Sequence, residues 1–392
     1  MKIKNLLKRF SKEPPLGWAQ LNHKKVRFLV ASVAIAFADI MIFTMLGFKS
    51  SMFGGATNLH KQLRGDLFLV SNRSQLLTDG QTFSRRHLYR AEAVDGVASA
   101  SPLYLSYRDW VNPWNKKITN VVVIAFDPVR PVIDLPEVDR QLEQIKLPDT
   151  ILFDRLSQPI FGPVSESFDR GETITTEISG RRIKVGGIFT LGSTIFIEGH
   201  IITSDLNYLR LFGADRFDRL KLGILHLEPN ADLATVQRNV RASLPKDIQV
   251  MTHQELIEFE EEYWANVPGG ILFNFGVIMG FTIAVVVVYE VLYADINDHL
   301  KEYATLKAMG YSDRNLLIVV FQEAIIMAVF GFIPGFSGSV GIYALLGYLN
   351  RIPLPMRADV ALQVFVITVL IGLISAAIAS KKLRSADPAE VF

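Results

Sequence analysis

The sequence has 392 residues, a net charge of +2, 49% hydrophobic and 20% charged residues, and no cysteine. The missing cysteine excludes disulfides, a thiolate nucleophile and Cys-ligated metal sites, and so small a net charge gives no argument for a nucleic-acid partner. The composition is typical of a membrane protein with a large water-exposed part.

Four apolar runs predict transmembrane helices, because each is long enough to cross the hydrocarbon core of a bilayer, which takes roughly 20 residues. They span residues 28–48, 268–293, 316–346 and 360–380. The first run is longer than the ~7 to 15 apolar residues of a cleaved secretory signal, so it is expected to stay as an anchor.

The terminal segments 1–27 and 381–392 are rich in basic residues, and the positive-inside rule therefore predicts that both termini are cytoplasmic. The residues concerned are Lys2, Lys4, Lys8, Arg9, Lys12, Lys24, Lys25, Arg27, Lys381, Lys382 and Arg384.

Residues 49–267 have a globular composition and are predicted to form a periplasmic α+β domain. Strand-like runs are found at 67–70, 97–105, 119–126, 173–178, 182–189, 194–197 and 248–251. Gly180 predicts the turn of a hairpin over 173–189. Apolar residues at three- and four-residue spacing predict a helix before Pro245, and Thr252 is expected to cap the next helix.

The expected fold class is a membrane protein of four transmembrane α-helices, with the large α+β domain inserted between helices 1 and 2. A short periplasmic loop, 347–359, joins the last two helices. The first helix is expected to continue outward beyond the membrane before the chain turns.

The polar segment 294–315 lies between two apolar runs and is predicted to form a cytoplasmic helix, a tight turn and the start of a new helix. Gly310 fits the glycine after a helix C-terminus, and Ser312 and Asp313 fit the following N-terminus. An apolar surface for a partner is predicted, rimmed by Lys301, Glu302 and Lys307; its members are Leu300, Tyr303, Ala304, Leu306 and Met309. The alternative is a solvated loop folded on its own membrane helices.

Three acids lie within the apolar runs. Asp39 is in the middle of the first run, where a charge costs at least ~2.5 to 3.5 kcal/mol; it is either a proton-linked or conformational switch, or a structural group hydrogen-bonded to another helix. Glu290 and Glu323 are interpreted as acids at the membrane interface, in contact with water or with the basic residues that precede the first apolar run. Gly331, Pro334 and Gly335 predict close helix packing or, alternatively, a hinge.

Enzyme signatures are missing from the sequence. Nothing matches G-x-x-x-x-G-K-[ST], HExxH or G-x-S-x-G, and the seven histidines are scattered. Four aromatic residues in the large domain are candidates either for a cargo or adaptor surface or for the core: Tyr104, Tyr107, Trp110 and Trp114.

The string DINDHLKEYATLKAMGYSD resembles the coupling-helix segment of the MacB-like and FtsX-like permease family, and of its DevC-type exporter branch in particular. The family pattern E-x-x-x-L-K-A-x-G stands here as Glu302, Leu306, Lys307, Ala308 and Gly310. Two further segments are similar to the family: the one that leads into the first apolar run, WAQLNHKKVRFLVASVAIAFA, and the C-terminal residues, RSADPAEVF. The layout of one helix, a large domain and three more helices also agrees with the family.

This resemblance implies a permease subunit of an ABC exporter in the plasma (inner) membrane, which transmits the motion of a separate ATPase to its periplasmic domain. Leu300, Glu302, Leu306, Lys307, Met309 and Gly310 would contact that ATPase. No cofactor is expected on this chain, since ATP and Mg²⁺ would bind the partner. The other implied partners are a second copy of the chain, a periplasmic membrane-fusion adaptor, a TolC-like outer-membrane channel and a lipid or glycolipid cargo.

Two other functions remain open. An FtsX-like signalling scaffold would activate a periplasmic enzyme without moving cargo. An autonomous membrane enzyme would require activity from the chain without any ATPase.

Overall fold

The computed structural model describes residues 25–78, 81–194, 197–309, 312–350 and 356–384. Two compact units are present: a helical unit, formed by the described residues of 1–49, 271–345 and 354–392, and a sheet unit, formed by those of 50–270 and 346–353. Most of the predicted basic N-terminal segment, Gly310, the middle of the 347–359 loop and residues 385–392 of the predicted tail lie outside the described residues.

The first membrane helix, α1, covers Lys25–Ala56 and is thus longer than the predicted 28–48 at both ends. The helices that follow in the sheet unit are α2 (Asn58–Lys61), α3 (Arg86–Glu92), α4 (Pro136–Asp139), α5 (Leu142–Lys146), α6 (Val164–Asp169), α7 (Asp205–Phe212), α8 (Ala214–Phe217), α9 (Leu233–Ser243) and α10 (His253–Asn266), with a 3₁₀ turn at Pro159–Phe161. The last helices are α11 (Pro268–Asp298), α12 (Leu300–Ala308), α13 (Asp313–Asn350) and α14 (Ala358–Arg384).

The strands belong to the sheet unit. They are β1 (Leu67–Ser71), β2 (Phe83–Ser84), β3 (Val97–Val111), β4 (Ile118–Phe126), β5 (Thr150–Asp154), β6 (Thr175–Ile178), β7 (Arg181–Phe189), β8 (His200–Ser204), β9 (Arg219–Leu220), β10 (Leu222–Leu227) and β11 (Ile248–Thr252).

The long strand β3 organises the sheet. Its N-terminal half pairs with β10, which continues through β1 to β11, and all of these pairings are antiparallel. Its C-terminal half pairs with β4, followed by β8, β5, β7 and β6. Because β6 pairs back with β3, through Trp110 opposite Ile178, the second group of strands closes into a ring. The parallel pairs β4–β8 and β5–β7 make the sheet mixed, as the predicted α+β class allows.

The predicted hairpin over 173–189 is confirmed. Strands β6 and β7 pair antiparallel from Thr175 opposite Lys184 to Ile178 opposite Arg181. The two turn residues, Ser179 and Gly180, both have positive φ angles, of 52° and 76°, which is the backbone that a two-residue hairpin turn requires. The capping box at Thr252 and Glu255 is also present at the start of α10.

The predicted strand at 194–197 is wrong for its described residues, Thr194 and Ile197, neither of which lies in a strand. The N–H of Thr194 donates to the carbonyl of Ile197 at 2.8 Å, and the N–H of Ile197 donates to the Thr194 hydroxyl at 2.9 Å. A β-branched residue favours a strand by propensity, but this hydroxyl satisfies the backbone locally. The strand of this region, β8, begins only at His200.

Three buried strands, β5, β8 and β10, were not predicted. Every residue of β5 and of β8 is buried, so neither strand shows the polar and apolar alternation that identifies a strand with one solvated face. Large apolar side chains on both faces of the sheet form two separate buried clusters.

Four helical segments are long and apolar enough to cross a membrane among the described residues: Phe28–Ala56, Pro268–Asp298, Leu316–Tyr348 and Ala358–Lys381. One side of these helices packs into a common apolar cluster. Other faces expose large apolar side chains, such as Phe37, Leu272 and Leu362 at 62–64%, as helices that face lipid do.

Glu260 of α10 is a buried acid at the centre of a polar network in the sheet unit. Its carboxylate accepts a hydrogen bond from the N–H of Leu77 at 3.0 Å and one from the indole N–H of Trp264 at 3.1 Å. The imidazole of His60, on α2, lies 3.3 Å from the same carboxylate. The network ties α2 and the loop after β1 to α10.

We predict that Glu260→Leu lowers the free energy of unfolding by about 3 kcal/mol, because the buried N–H of Leu77 and the partly buried indole N–H of Trp264 lose their acceptor. Thermal unfolding of the purified chain in detergent measures the change. The control is Glu258→Leu on the exposed face of the same helix, for which we expect little change. Equal effects of the two substitutions would contradict the role of the network.

Candidate functional site

Helix α12 is a short helix that follows membrane helix α11 after a single residue, His299. The His299 N–H donates to the carbonyl of Asp295 at 3.2 Å, and the His299 carbonyl accepts from the N–H of Tyr303 at 3.0 Å. The ring of His299 also contacts Asp295, with Nδ1 at 2.9 Å from the backbone carbonyl and 3.6 Å from the carboxylate. Helical hydrogen bonding therefore continues through the junction, and the connection is short.

One stripe of α12 faces the helical unit itself. Tyr303 and Ala304 are 2% and 0% exposed, and Leu300 packs partly buried against the apolar cluster of the unit. Residues three and four apart share a helix face, so these three residues form one continuous buried stripe. Lys307 lies one turn further along it and is partly buried.

The opposite stripe of α12 faces outward. Glu302, Thr305 and Met309 are exposed and recur at spacings of three and four, with Lys301 exposed beside them. Met309 closes the helix and leaves 63% of its apolar side chain uncovered. The outward stripe thus combines an acid, a hydroxyl and a thioether.

The prediction that Tyr303 and Ala304 face a partner is therefore wrong, because both are covered by the chain's own helices. Leu300 shares in this internal contact. Glu302 and Met309, by contrast, lie on the outward stripe together with Thr305, which the sequence analysis did not single out. The Leu306 side chain and the whole of Gly310 lie outside the described part of the chain.

The next helix, α13, begins at Asp313, directly after Ser312, and the N–H of Leu316 donates to the Ser312 carbonyl at 3.4 Å. The polar segment therefore contains a helix and the start of a second helix, as the spacing of Ser312 and Asp313 predicts. The arrangement is helix, short helix, helix, and the two outer helices are long enough to span a membrane.

The sequence of this region matches a family model. Residues 274–388 match FtsX-like permease C-terminal. The match runs from α11 through α12 and α13 to the end of α14, so it includes the outward stripe of α12. With the four candidate spans, it makes the chain a membrane protein with an FtsX-like permease segment. No curated protein matches the sequence.

Three solved structures are similar to the region outside this segment. The periplasmic region of MacB from Actinobacillus actinomycetemcomitans has 9% identity and a TM-score of 0.34, with 51% of this chain and 94% of that chain covered. The extracellular domain of the noncanonic ABC-type transporter YknZ from Gram-positive bacteria has 11% identity and a TM-score of 0.31, with 48% of this chain and 99% of that chain covered. A domain of a putative permease protein from Porphyromonas gingivalis has 11% identity and a TM-score of 0.31, with 49% of this chain and 89% of that chain covered. At these values the similarities carry no conclusion about function.

Asp39 is fully buried in the helical unit. Its Oδ1 accepts a hydrogen bond of 2.6 Å from the hydroxyl of Thr368 on α14, and that hydroxyl lies 2.9 Å from the carbonyl of Val364. The acid thereby links the first membrane helix to the last helix of the FtsX-like permease segment. This contact agrees with the structural interpretation of Asp39, and the switching role stays a hypothesis. No local sequence pattern indicates Thr368 as the partner of Asp39.

Gly331 and Gly335 of α13 lie against α1. A Cβ added at Gly331 would come within 2.5 Å of Ile35, and one added at Gly335 within 2.7 Å of the Cβ of Asp39. Small residues at these positions let the two helix backbones approach closely. Pro334 lies inside α13 with its ring exposed. A hinge at this cluster stays a hypothesis.

Glu290 and Glu323 differ in their surroundings. The side chain of Glu290, on α11, is exposed, whereas Glu323, on α13, is fully buried in the helical unit. Water therefore does not reach Glu323 in this structure. The interpretation of Glu323 as an interfacial acid in contact with water is wrong.

The four candidate aromatic residues of the sheet unit also separate. Tyr104 and Trp110 are fully buried, so the interpretation of these two as surface residues is wrong; Tyr107 and Trp114 are 37% and 46% exposed. Tyr104 and Trp110 lie on β3, where their side chains join one of the two buried clusters.

We predict opposite outcomes for the same bulk added at adjacent positions of α12. Ala304→Leu overfills a closed contact and should lower the free energy of unfolding by about 1–3 kcal/mol. Thr305→Leu adds its methyl groups on the outward stripe, where substitutions change stability by no more than about 0.5 kcal/mol. Thermal unfolding of the two variants in detergent decides the matter, and a larger loss for Thr305→Leu would show that the orientation of α12 is wrong.

Proposed function

We propose that this chain is the permease subunit of an ABC transporter and that α12 is its docking element for a separate ATPase subunit. The observation that carries the proposal is the outward stripe of α12, positioned between two candidate membrane helices inside the FtsX-like permease segment. A docking element needs an accessible face for the partner and a second face fixed to the moving body, and α12 has both.

Force applied to the outward stripe would pass directly into the helical unit. Tyr303 and Ala304 are buried in it, and packed apolar contacts move as rigid bodies rather than deform. The single-residue junction at His299 leaves little chain to absorb a displacement. Motion of the ATPase would thus be transmitted to α11 and α13 together.

The energy for this motion would come from the partner. ATP and Mg²⁺ are expected on the ATPase subunit, because the sequence has no glycine-rich phosphate loop with its lysine. In this proposal the chain is a transmitting membrane subunit without catalysis of its own. Its nucleotide-dependent states would differ in the position of α12.

The finer proposal is a DevC-type exporter. Two copies of the chain would pair in the plasma membrane with both termini cytoplasmic and the sheet unit in the periplasm. There the sheet units would push a lipid or glycolipid cargo into a membrane-fusion adaptor and a TolC-like outer-membrane channel. The resemblance of residues 295–313 to the coupling segment of such exporters supports this version.

A signalling scaffold is the second candidate, favoured by the FtsX-like description of the matched segment. The same transmission would then activate a periplasmic enzyme, and no cargo would move. The two candidates separate in vesicles that contain the chain and its ATPase: ATP-dependent release of a labelled lipid supports export, whereas ATP-dependent activation of a co-purified peptidoglycan hydrolase without lipid release supports signalling.

We predict that Met309→Glu abolishes most of the ATP hydrolysis that the chain stimulates in its ATPase, because a carboxylate replaces the exposed apolar side chain of the outward stripe. A loss of tenfold or more is expected, corresponding to at least about 1.4 kcal/mol of coupling. The assay is ATP turnover by the reconstituted complex.

Two variants serve as controls. Met309→Leu keeps an apolar side chain and should retain stimulation. Arg182→Glu changes an exposed residue of the sheet unit that is distant in sequence from α12. Normal stimulation by Met309→Glu, in protein that unfolds at the unaltered temperature, would refute the docking role of α12.

A further inference from the structure

The sheet unit contains an open cleft of about 560 Å³, a volume in the range of small-molecule sites. Its lining comes from β3, α7, α8, β9 and the segment before β2. The residues that determine its chemistry are Ser106, Tyr208, Asp215, Arg216, Arg219 and Lys221.

The cleft carries an excess of positive charge. Arg216 and Arg219 are exposed, and neither forms an ion pair within the described part of the chain. Arg108, on β3, adjoins Arg216: burial lowers the pKa of the Arg108 guanidinium most, the charge of Arg216 lowers it next, and Tyr208 and Asp109 raise it less. Arg108 and Arg216 therefore repel each other, and Asp109 offsets this repulsion only in part.

The base of the cleft is rigid. Tyr208 stacks between Tyr104 and Phe212, with ring centroids at 4.7 and 4.0 Å, and its hydroxyl lies 3.1 Å from that of Ser106. The guanidinium carbon of Arg108 lies 4.1 Å from the centroid of the Phe212 ring, a cation–π contact that fixes its position. Such a preorganised base lowers the cost of binding a ligand.

We propose that this cleft binds a phosphate monoester carried on a hydroxyl-bearing unit. The lining contains three cationic side chains, those of Arg216, Arg219 and Lys221, and one carboxylate, that of Asp215, which gives a formal excess of two positive charges. A phosphate monoester carries about −1.5 to −2, which matches them better than a single carboxylate, and guanidinium groups bind phosphate oxygens in pairs.

Neutral polar groups of the cleft suit the rest of such a ligand. The hydroxyl of Ser106, the side chains of Gln81 and Thr82, and the half-exposed ring of Tyr107 line the same space. A soluble sugar or polyol phosphate and the phosphorylated headgroup of a lipid share this chemistry. The site does not depend on the docking of α12, so either proposal can fail while the other holds.

The test is calorimetric titration of the full chain in detergent with glycerol phosphate. Binding is expected, and glycerol without phosphate should not bind. Arg216→Ala and Arg219→Ala should each weaken binding by roughly tenfold, since a hydrogen bond to a charged group is lost. Arg182→Ala, which removes an exposed arginine outside the cleft, should leave the Kd unchanged.

Lysophosphatidic acid has the same glycerol phosphate group on an acyl chain and identifies the source of the ligand. Tighter binding than that of glycerol phosphate, still sensitive to Arg216→Ala, supports a lipid headgroup; equal binding supports a soluble ligand. The proposal is overturned if neither compound binds, or if the arginine variants bind as well as the unaltered chain does.

Discussion

The structure depends on one constraint of the bilayer: inside the hydrocarbon core, every backbone N–H and C=O must find its hydrogen-bond partner within the protein, and a helix pairs them all within its own segment. Long apolar helices meet this demand, and a polar helix such as α12 cannot lie among lipid tails. It has to lie at a membrane surface, where its two faces have different environments. Tyr303 and Ala304 are covered by the neighbouring helices, and the opposite face, with Glu302, Thr305 and Met309, is left for water or for a partner.

The same constraint explains how the helical unit is assembled. Lipid gives no hydrophobic drive for one apolar helix to join another, so close backbone approach and buried hydrogen bonds have to hold the helices together. Gly331 and Gly335 bring α13 against α1, and the bond from Thr368 to Asp39 joins α14 to α1. Displacement of α12 would act on helices that are already fixed to one another in this way.

Much of this could be predicted from the sequence where a pattern has one physical meaning. Apolar length gave the four spans, Gly180 gave a hairpin turn and Thr252 gave a helix cap. Prediction failed where two environments leave the same pattern. Tyr303 and Ala304 of α12 pack inward rather than toward a partner, Tyr104 is core while Tyr107 is exposed, and the fully buried strand β8 shows no alternation. Partners distant in sequence, such as Thr368 for Asp39, leave no local signal at all.

The central claim is that a separate ATPase subunit binds the outward stripe of α12 on the cytoplasmic side of the membrane. Because the chain has no cysteine, Thr305→Cys introduces one reactive thiol without background. In intact cells, an impermeant maleimide should not label this thiol, although it labels Arg182→Cys on the sheet unit, and in membranes a bifunctional reagent should cross-link it to the ATPase. Labelling of Thr305→Cys from outside the cell, or cross-linking to no ATPase, would contradict the account.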